Sequence, residues 1–304
     1  MNLPIIAITG DYPIIRDMLA AGLRSMGFSV RIIADALTVN RSIDLWHKTL
    51  ENTAAIIHVG FVTRPFDKTQ GTLDKLILGA ARSGVNRVIM LNHLPEADQL
   101  VGTSELLQKI IEAEQKHLKL AETEGLDCIV LRTAMMLNIK NTCWLEIKKL
   151  SCGGWPIFLG ADFNKKIRLI SQEQVVEAVL HSFRFHQLPA MGAFDLCPYN
   201  NQLTMAGLIE KIAAIHQRTT VCLGRPPLLL KTFLGCPTIV KHMLAGNPEE
   251  FWLGQSYEEN FLWKPASDVG TELLKFYQPK HLLADQGNEI PNNQQPIAKE
   301  KAAA

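Results

Sequence analysis

The residues best suited to chemistry in this sequence form a turn near the N-terminus. Gly10 follows the apolar run Ile5–Ile8, and a helical pattern begins a few residues later. The first backbone N–H groups of a helix have no partner within it and lie at the positive end of its dipole, so a glycine turn here is typical of a pyrophosphate site. The candidate ligands of a dinucleotide in this turn and helix start are Gly10, Tyr12, Pro13, Ile14 and Arg16.

The turn departs from the glycine fingerprint of dinucleotide sites. That fingerprint has two further glycines, and Pro13 and Arg16 occupy their positions here. Proline offers no N–H to a phosphate, and arginine puts a bulky side chain where close packing of helix and strand usually requires glycine. The site is therefore remodelled or lost. Arg16 either binds phosphate through its guanidinium or is a solvated or ion-paired helix residue.

Two further residues fit a dinucleotide. Asp35 lies 25 residues after the glycine of the turn, near the place where an acidic residue holds the ribose hydroxyls of NAD. The alternative is that Asp35 is an acidic loop residue or a helix N-cap. Arg31 and Arg41 could bind a 2′-phosphate, so NADP remains a possible cofactor. Gly60 ends the apolar run Ala54–Val59, and a small residue there can form a wall for adenine and ribose.

A second group of candidate residues ends a central apolar run. Asn92 and His93 follow Arg87–Leu91, and ligands of parallel sheets bind at the carboxyl ends of the strands. His93 is the candidate proton donor because histidine titrates near neutrality. The alternative is a histidine that is hydrogen-bonded to the loop it begins. His58, inside an apolar strand, is interpreted as a hydrogen-bonded core residue.

The elements that must position these residues alternate between strands and helices. Predicted strands cover 5–8, 30–33, 54–59, 87–91, 128–132, 167–170 and 193–196. Predicted helices begin at Ile14 and cover about 72–83, 104–124, 138–150, 173–183 and 204–216, with Ser171 and Thr204 as caps of the last two. This alternation predicts an α/β protein with a doubly wound parallel sheet that is buried on both faces.

The chain divides into three parts by pattern. Residues 1–150 are the predicted nucleotide-binding domain, residues 151–284 a smaller substrate-side region interleaved with the sheet, and residues 285–304 a polar, disordered tail. In the second part, Trp252, Tyr257 and Trp263 either line a pocket or form an aromatic core.

Composition narrows the classes of partner. The 304 residues are 47% hydrophobic with a formal net charge of +1. The chain therefore lacks the excess of positive charge that is typical of proteins that bind nucleic acid. The longest apolar stretch, Pro226–Val240, is too short and too broken by Lys231 and prolines to span a bilayer. Six cysteines without a C-x-x-C pair indicate reduced thiols in a cytoplasmic protein, and no metal site is predicted.

The order of elements resembles the extended-type, atypical short-chain dehydrogenase/reductase superfamily, and within it the NmrA-like branch. The resemblance covers about residues 3–216 and rests on loose segments at Ile8–Gly10, Asn86–Leu91, Glu124–Arg132, Ile170–Ala178 and Phe194–Met205. It implies a Rossmann-like domain that binds NAD or NADP, with a smaller C-terminal part that shapes the pocket of a small-molecule substrate.

The catalytic residues of that superfamily are missing from their usual places. Its enzymes use a Ser or Thr, a Tyr and a Lys four residues beyond the Tyr, or a lysine alone. No tyrosine lies between Tyr12 and Tyr199, so the Ser-Tyr-Lys set is not in its usual place. The serine position falls on Asn92 or His93.

The family spacing places the tyrosine position on Ile110 and the lysine position on Glu114. A gap in the alignment would restore Lys109 or Lys116. Glu112 and Glu114 are interpreted as solvated acids of the helix.

Three functions are consistent with this resemblance and its departures. The favoured one is an NAD(P)-dependent reductase or related enzyme that acts on a small organic substrate without the Ser-Tyr-Lys set. The alternatives are a non-catalytic nucleotide-sensing or partner-binding module and a non-redox enzyme that uses the former cofactor cleft. Fold alone does not choose among them, and a homodimer or a protein partner stays open.

Overall fold

The computed structural model describes residues 3–10, 12–33, 42–61, 66–93, 103–137, 142–184, 189–197, 202–224, 240 and 255–277. Asp35, Arg41, Trp252, residues 226–239 and the predicted tail 285–304 lie outside the described residues.

The strands and helices are numbered in chain order. The strands are β1 Ile5–Gly10, β2 Ser29–Ile32, β3 Thr53–Phe61, β4 Arg87–His93, β5 Asp127–Thr133, β6 Met135–Leu137, β7 Ile157–Phe158, β8 Lys166–Ser171, β9 Met191–Leu196, β10 Gln202–Thr204, β11 Cys222–Leu223 and β12 Gln255–Ser256. The helices are α1 Pro13–Ser25, α2 Ile43–Thr49, α3 Phe66–Arg82, α4 Thr103–Thr123, α5 Thr142–Cys152, α6 Gln172–Arg184, α7 Met205–Ile215, α8 Tyr257–Phe261 and α9 Val269–Tyr277.

Seven parallel strands form the central sheet in the order β2-β1-β3-β4-β5-β9-β12. The strand order reverses at β1, because the chain moves outward to β2 and then crosses back to β3. In open parallel sheets, ligands bind in the crevice at such a reversal, outside the carboxyl ends of the strands. The doubly wound, Rossmann-like α/β fold predicted from the sequence is confirmed.

Helices cover both faces of this sheet. One apolar core joins β1, β3, β4 and β5 to α1, α6 and α8, and a second core joins the opposite face to α2, α3 and α4. The helices α1 and α6 pack closely, since a Cβ added at Gly22 would lie 2.3 Å from Cδ1 of Leu180. Apolar strands buried on both sides are the expected consequence of a parallel sheet.

A smaller part of the molecule has its own core. The three-stranded sheet β10-β8-β6 and the strand pair β11-β7 pack with α5, α7 and α9 around residues such as Trp144, Ile209 and Leu273. The strand β6 was not predicted. The described part of the predicted helix 138–150 is α5, which continues to Cys152, and residues 138–141 lie outside the described residues. Among the described residues, no helix has the length and apolar character needed to cross a membrane.

Candidate functional site

A small cleft lies at the carboxyl edge of the sheet, where the strand order reverses. Its space is about 220 Å³ including the open mouth. The cleft is lined by residues of the strands β3 to β6 and of the starts of α1 and α6, namely Tyr12, Ile15, Val59, Gly60, Leu91, Asn92, Thr133, Met136 and Val175. Two predicted site residues, Gly60 and Asn92, and the predicted ligand Tyr12 therefore come together here.

A close backbone contact requires glycine at Gly10, and at Gly60 an added side chain would meet the ring of His58. Gly10 ends β1 with φ +109°, and a Cβ there would lie 2.0 Å from the carbonyl oxygen of Val59. A Cβ at Gly60 would lie 2.7 Å from Nε2 of His58. A side chain at Gly10 would therefore collide with the backbone of β3, and a side chain at Gly60 would have to displace the ring of His58.

The first turn of α1 receives no hydrogen bond from the side chain of its N-cap residue, Tyr12. Pro13 occupies the first turn without an N–H to offer, no acidic residue lies in that turn, and Tyr12 makes no side-chain cap. Pro13 is exposed and Ile14 half-buried, and neither is among the residues that line the cleft. Arg16 is ion-paired with Asp17 (Nε to Oδ1, 3.2 Å), as in the alternative interpretation of this residue. Neither Pro13 nor Arg16 is among the described residues that line the cleft.

Tyr12 is linked to a distant helix. Its hydroxyl accepts a hydrogen bond of 2.5 Å from Nε2 of Gln172, the first residue of α6. The start of α6 is a capping box, in which Oγ of Ser171 accepts from the backbone N–H of Gln174 and Oε1 of Gln174 accepts from that of Ser171. Val175, one turn into α6, also lines the cleft.

Asn92 is held in one orientation by a buried ion pair. Its Nδ2 donates to Oε1 of Glu114 at 2.7 Å. Oε2 of Glu114 lies 2.7 Å from Nη2 and 2.8 Å from Nε of Arg132. A carboxylate paired in this way only accepts hydrogen bonds, so the amide nitrogen of Asn92 must face it. Asp195 lies further from the same guanidinium, at 3.7 Å from Nη1.

The interpretation of Glu114 as a solvated acid is wrong. Glu114 is 2% exposed. Its spacing gives the reason: Ile110, Ala113, His117 and Ala121 are also buried, at three- and four-residue intervals on the same face of α4. The position expected for a catalytic lysine therefore holds a buried carboxylate. The helical spacing and the arginine inside the apolar strand β5 were the signals for this pair.

The two histidines singled out from the sequence have different outcomes. His58 is buried, with Nδ1 2.7 Å from Oγ1 of Thr9, so the core interpretation is confirmed. Burial, with a smaller contribution from His117, lowers the pKa of His58 to about 4. The backbone of His93 pairs in register with Phe61 and Thr133 at the carboxyl end of β4. Its side chain lies outside the described part of the structure.

The described aromatic residues that were singled out near the C-terminal end form core. Tyr257 and Trp263 are buried, and Tyr257 stacks on Phe261 with ring centroids 4.1 Å apart. The described cysteines that are free thiols are Cys128, Cys152, Cys197 and Cys222. Among the described residues, no group of three His, Cys, Asp or Glu side chains is arranged to hold a metal ion.

No protein-family model and no curated protein matches this chain. Solved structures match it over nearly its whole length. A nucleoside-diphosphate-sugar epimerase from Staphylococcus aureus has a TM-score of 0.61 and 14% identity, with 90% of this chain and 100% of that one covered. UDP-N-acetylglucosamine 4-epimerase from Bacillus cereus has a TM-score of 0.60 and 11% identity, with 95% and 99% covered.

A third similar structure is that of RMD from Pseudomonas aeruginosa, complexed with NADPH. Its TM-score is 0.56 and its identity 14%, with 91% of this chain and 97% of that one covered. At these identities the likeness establishes a shared fold, which is the Rossmann-like fold.

Proposed function

We propose that this chain binds NAD or NADP in the cleft lined by β3 to β6 and by the starts of α1 and α6. We propose also that it acts as an oxidoreductase on a small organic substrate, without a Ser-Tyr-Lys set. One observation carries the proposal. The cleft lies where the strand order reverses, beside a helix start that has neither a side-chain cap nor an acidic residue. That combination suits the pyrophosphate of a dinucleotide.

The proposed ligands follow from this placement. The turn at Gly10 and the backbone N–H groups of Tyr12 and Ile14 would hold the pyrophosphate, and Pro13 between them would contact it without donating a hydrogen bond. Arg16, at the same helix end, would add positive charge if its side chain left Asp17. Gly60 would form the wall for adenine and ribose, and Asp35 remains the proposed ribose ligand.

The similar structures support this assignment without deciding the reaction. Two of them are named as epimerases of nucleotide sugars, and one was solved with NADPH. They support placing the chain among extended-type short-chain dehydrogenases/reductases, whereas the NmrA-like branch rests on the sequence segments alone.

The chain's own groups have separate roles in this proposal. The nicotinamide supplies or accepts the hydride when the cofactor is bound. His93, at the end of β4, is the proposed proton donor. Glu114 does not take this role in the proposal, because it is buried in an ion pair with Arg132 and accepts a hydrogen bond from Asn92. The fixed amide of Asn92 then orients the ligand beside it.

A thermal-shift titration with NAD, NADH, NADP and NADPH tests binding. A ligand present at 100 times its Kd stabilises the folded state by about 2.7 kcal/mol. Val175→Phe adds bulk to the cleft and is expected to abolish the shift. Val176→Phe is the matched control, since it is the same change in the next residue, outside the cleft lining. If none of the four nucleotides raises the melting temperature of the unmodified chain, the proposal is contradicted.

Turnover is tested by following NADPH or NADH absorbance with a panel of small carbonyl compounds. His93→Ala is expected to lower kcat by about 10² to 10⁴, the usual contribution of a proton donor. His93→Gln keeps a polar group that cannot deliver a proton and is expected to lose as much. Unchanged turnover in both variants excludes the proton-donor role and leaves nucleotide binding standing.

A second candidate function is a nucleotide-sensing module without catalysis. The observation in its favour is Glu114, which occupies the lysine position and is held by Arg132 at 2.7 Å. Binding of a dinucleotide without oxidation of NADH or NADPH by any carbonyl compound would favour this candidate.

A further inference from the structure

We infer that Glu272 is a positioning residue of the nucleotide site, which holds the start of α6 in place through Ser171. The inference rests on the proposed function, since it concerns the same cleft. Glu272 lies in α9, in the smaller part of the molecule, and is not among the residues that line the cleft. Its effect on a bound nucleotide passes through the first turn of α6.

The first turn of α6 bears on the cleft in two ways. Val175 lines the cleft, and Nε2 of Gln172 donates a hydrogen bond to the hydroxyl of Tyr12, which also lines it. The side chains of one helical turn are carried by a single hydrogen-bonded stretch of backbone. The position of this turn therefore decides where both side chains lie.

Glu272 is a buried carboxylate in contact with the cap of this turn. Its Oε1 accepts from Oγ of Ser267 and lies 2.9 Å from Nζ of Lys275. The carboxylate also accepts a hydrogen bond from the side chain of Ser171. Burial alone would raise the pKa of Glu272, but the hydrogen bonds from these three side chains lower it. The group is therefore ionised near neutral pH and can only accept hydrogen bonds.

A second hydrogen bond joins the same two helix starts. Nε2 of Gln174 donates to the backbone carbonyl oxygen of Ser267 at 2.8 Å, while Oε1 of the same amide accepts from the backbone N–H of Ser171. Ser171, Gln174 and Glu272 are all buried. A buried polar group that loses its partner is costly, so these bonds hold the starts of α6 and α9 in one arrangement.

These bonds lie between the two cores. Val175 and Val176 of α6 belong to the core of the central sheet, whereas Val269 and Leu273 of α9 belong to the core of the smaller part. Apolar burial is not directional, whereas a hydrogen bond requires a particular geometry. The bonds at Glu272 therefore specify how α6 sits against the smaller part.

Loss of the carboxylate should weaken nucleotide binding although Glu272 does not contact the cleft. Substitutions that act on a ligand through other residues change its affinity by about two- to thirtyfold. Calorimetry with NADPH and the full chain measures this, at a temperature well below the melting point of every variant. Glu272→Ala is expected to raise Kd by that factor. Glu272→Gln offers one acceptor oxygen to three donors, so its Kd should lie between those of Glu272→Ala and the unmodified chain.

Two further variants separate positioning from loss of stability. Leu273→Val removes a buried methylene group from the next residue of α9, which points into the smaller core. It should lower the melting temperature and leave Kd within about twofold. Ser171→Ala should raise Kd, and the combination of Ser171→Ala with Glu272→Ala should bind no more weakly than Ser171→Ala alone, since Glu272 acts through Ser171.

Hydrogen exchange of the free protein gives a measurement that needs no nucleotide. The backbone N–H of Gln174 is bonded to Oγ of Ser171, which in turn contacts Glu272. The N–H groups of the first turn of α6 should therefore exchange faster in Glu272→Ala and at the unmodified rate in Leu273→Val. Unchanged exchange in Glu272→Ala overturns the inference whatever the nucleotide does.

The binding measurements have three contrary outcomes. Equal Kd values for Glu272→Ala and the unmodified chain overturn the inference and leave the proposed function standing. An equal rise in Kd for Leu273→Val, or additive rises for Ser171→Ala and Glu272→Ala, also overturn it. If the unmodified chain binds none of NAD, NADH, NADP and NADPH, the proposed function fails and the inference fails with it. Glu272→Gln serves if Glu272→Ala does not fold.

Discussion

Glu114 and Arg132 form an ion pair with almost no access to water. Their side chains are 2% and 6% exposed, and the pair joins α4 to β5 and, through Asn92, to β4. Such a pair contributes little net stability, because desolvation of both charges offsets their attraction. Removal of one partner, however, leaves a buried charge without compensation. The pair therefore fixes the position of α4 against the strand ends rather than supplying stability.

Single substitutions in this pair should be more harmful than the double one. Glu114→Leu and Arg132→Met are each expected to lower the free energy of unfolding by about 3–5 kcal/mol, and the combined variant by much less than their sum. Urea denaturation of the four proteins in a double-mutant cycle measures this. Glu112→Leu, on the exposed face of α4, is the control and should change stability by less than about 0.5 kcal/mol. Additive losses in the cycle contradict the pairing.

His58 should make the protein less stable in mild acid. Its pKa is lowered from 6.5 to about 4 in the folded chain, mainly by burial. The unfolded chain therefore binds a proton more readily between these values, and stability that is present above pH 6.5 is lost as the pH falls toward 4. His58 alone should account for a loss of about 2 kcal/mol between pH 7 and pH 5.

Urea denaturation at pH 7 and pH 5 checks this contribution. His58→Gln retains a group that can hydrogen-bond Thr9 and cannot titrate, so its loss of stability over the same interval should be smaller by that amount. An identical pH dependence in both proteins means that other groups cause the acid effect.

Individual positions at the carboxyl edge of the sheet were predictable where a local pattern marks them. Gly10, Gly60 and Asn92 end apolar runs, and the ends of parallel strands meet at one edge of a sheet. The bond between Tyr12 and Gln172 joins residues 160 positions apart, and no local pattern encodes such a contact. Glu114 was interpreted from its charge, although its spacing on α4 already indicated burial.

At the level of elements, the helix starts were well marked by sequence. Ser171 and Thr204 cap α6 and α7, as predicted, with their hydroxyls accepting from Gln174 and Gly207. The three-residue strand β6 was missed because it is too short to show a period of two. It exists through its pairing with β8, more than 30 residues away.

The cap of α6 should matter more than the cap of α7. Ser171 is 3% exposed and its side chain also hydrogen-bonds Glu272, whereas Thr204 is exposed. Thr204→Ala should cost about 1 kcal/mol, and Ser171→Ala about 2–3 kcal/mol because a buried carboxylate also loses a partner. Thermal and urea unfolding of both variants measure the difference. Equal losses mean that the contact with Glu272 adds nothing.

At the scale of the whole molecule, the later half of the chain completes the sheet begun by the first. β9 pairs with β5, β12 pairs with β9, and α6 covers the same face as α1. The alternation of predicted strands and helices along the sequence predicted this fold class. The size of the cleft was not predictable, since residues from both halves line it.

A fragment of residues 1–150 is therefore expected not to fold alone. It lacks β9 and α6, so buried residues such as Ile129, Leu131 and Leu19 would lose apolar neighbours to water. Circular dichroism should show no cooperative unfolding transition for this fragment. A chain of residues 1–284 is the control, and it should melt at the temperature of the full chain. A cooperative unfolding transition of the fragment, measured by circular dichroism, contradicts the expectation.

The contact between the starts of α1 and α6 also sets an order of events during synthesis. Ribosomes add roughly 5–20 residues per second, so Gln172 follows Tyr12 after roughly ten to thirty seconds. During that interval the nascent chain exposes the apolar side of its first crossover unit. A chaperone that binds hydrophobic surface has this period in which to act on the first crossover unit.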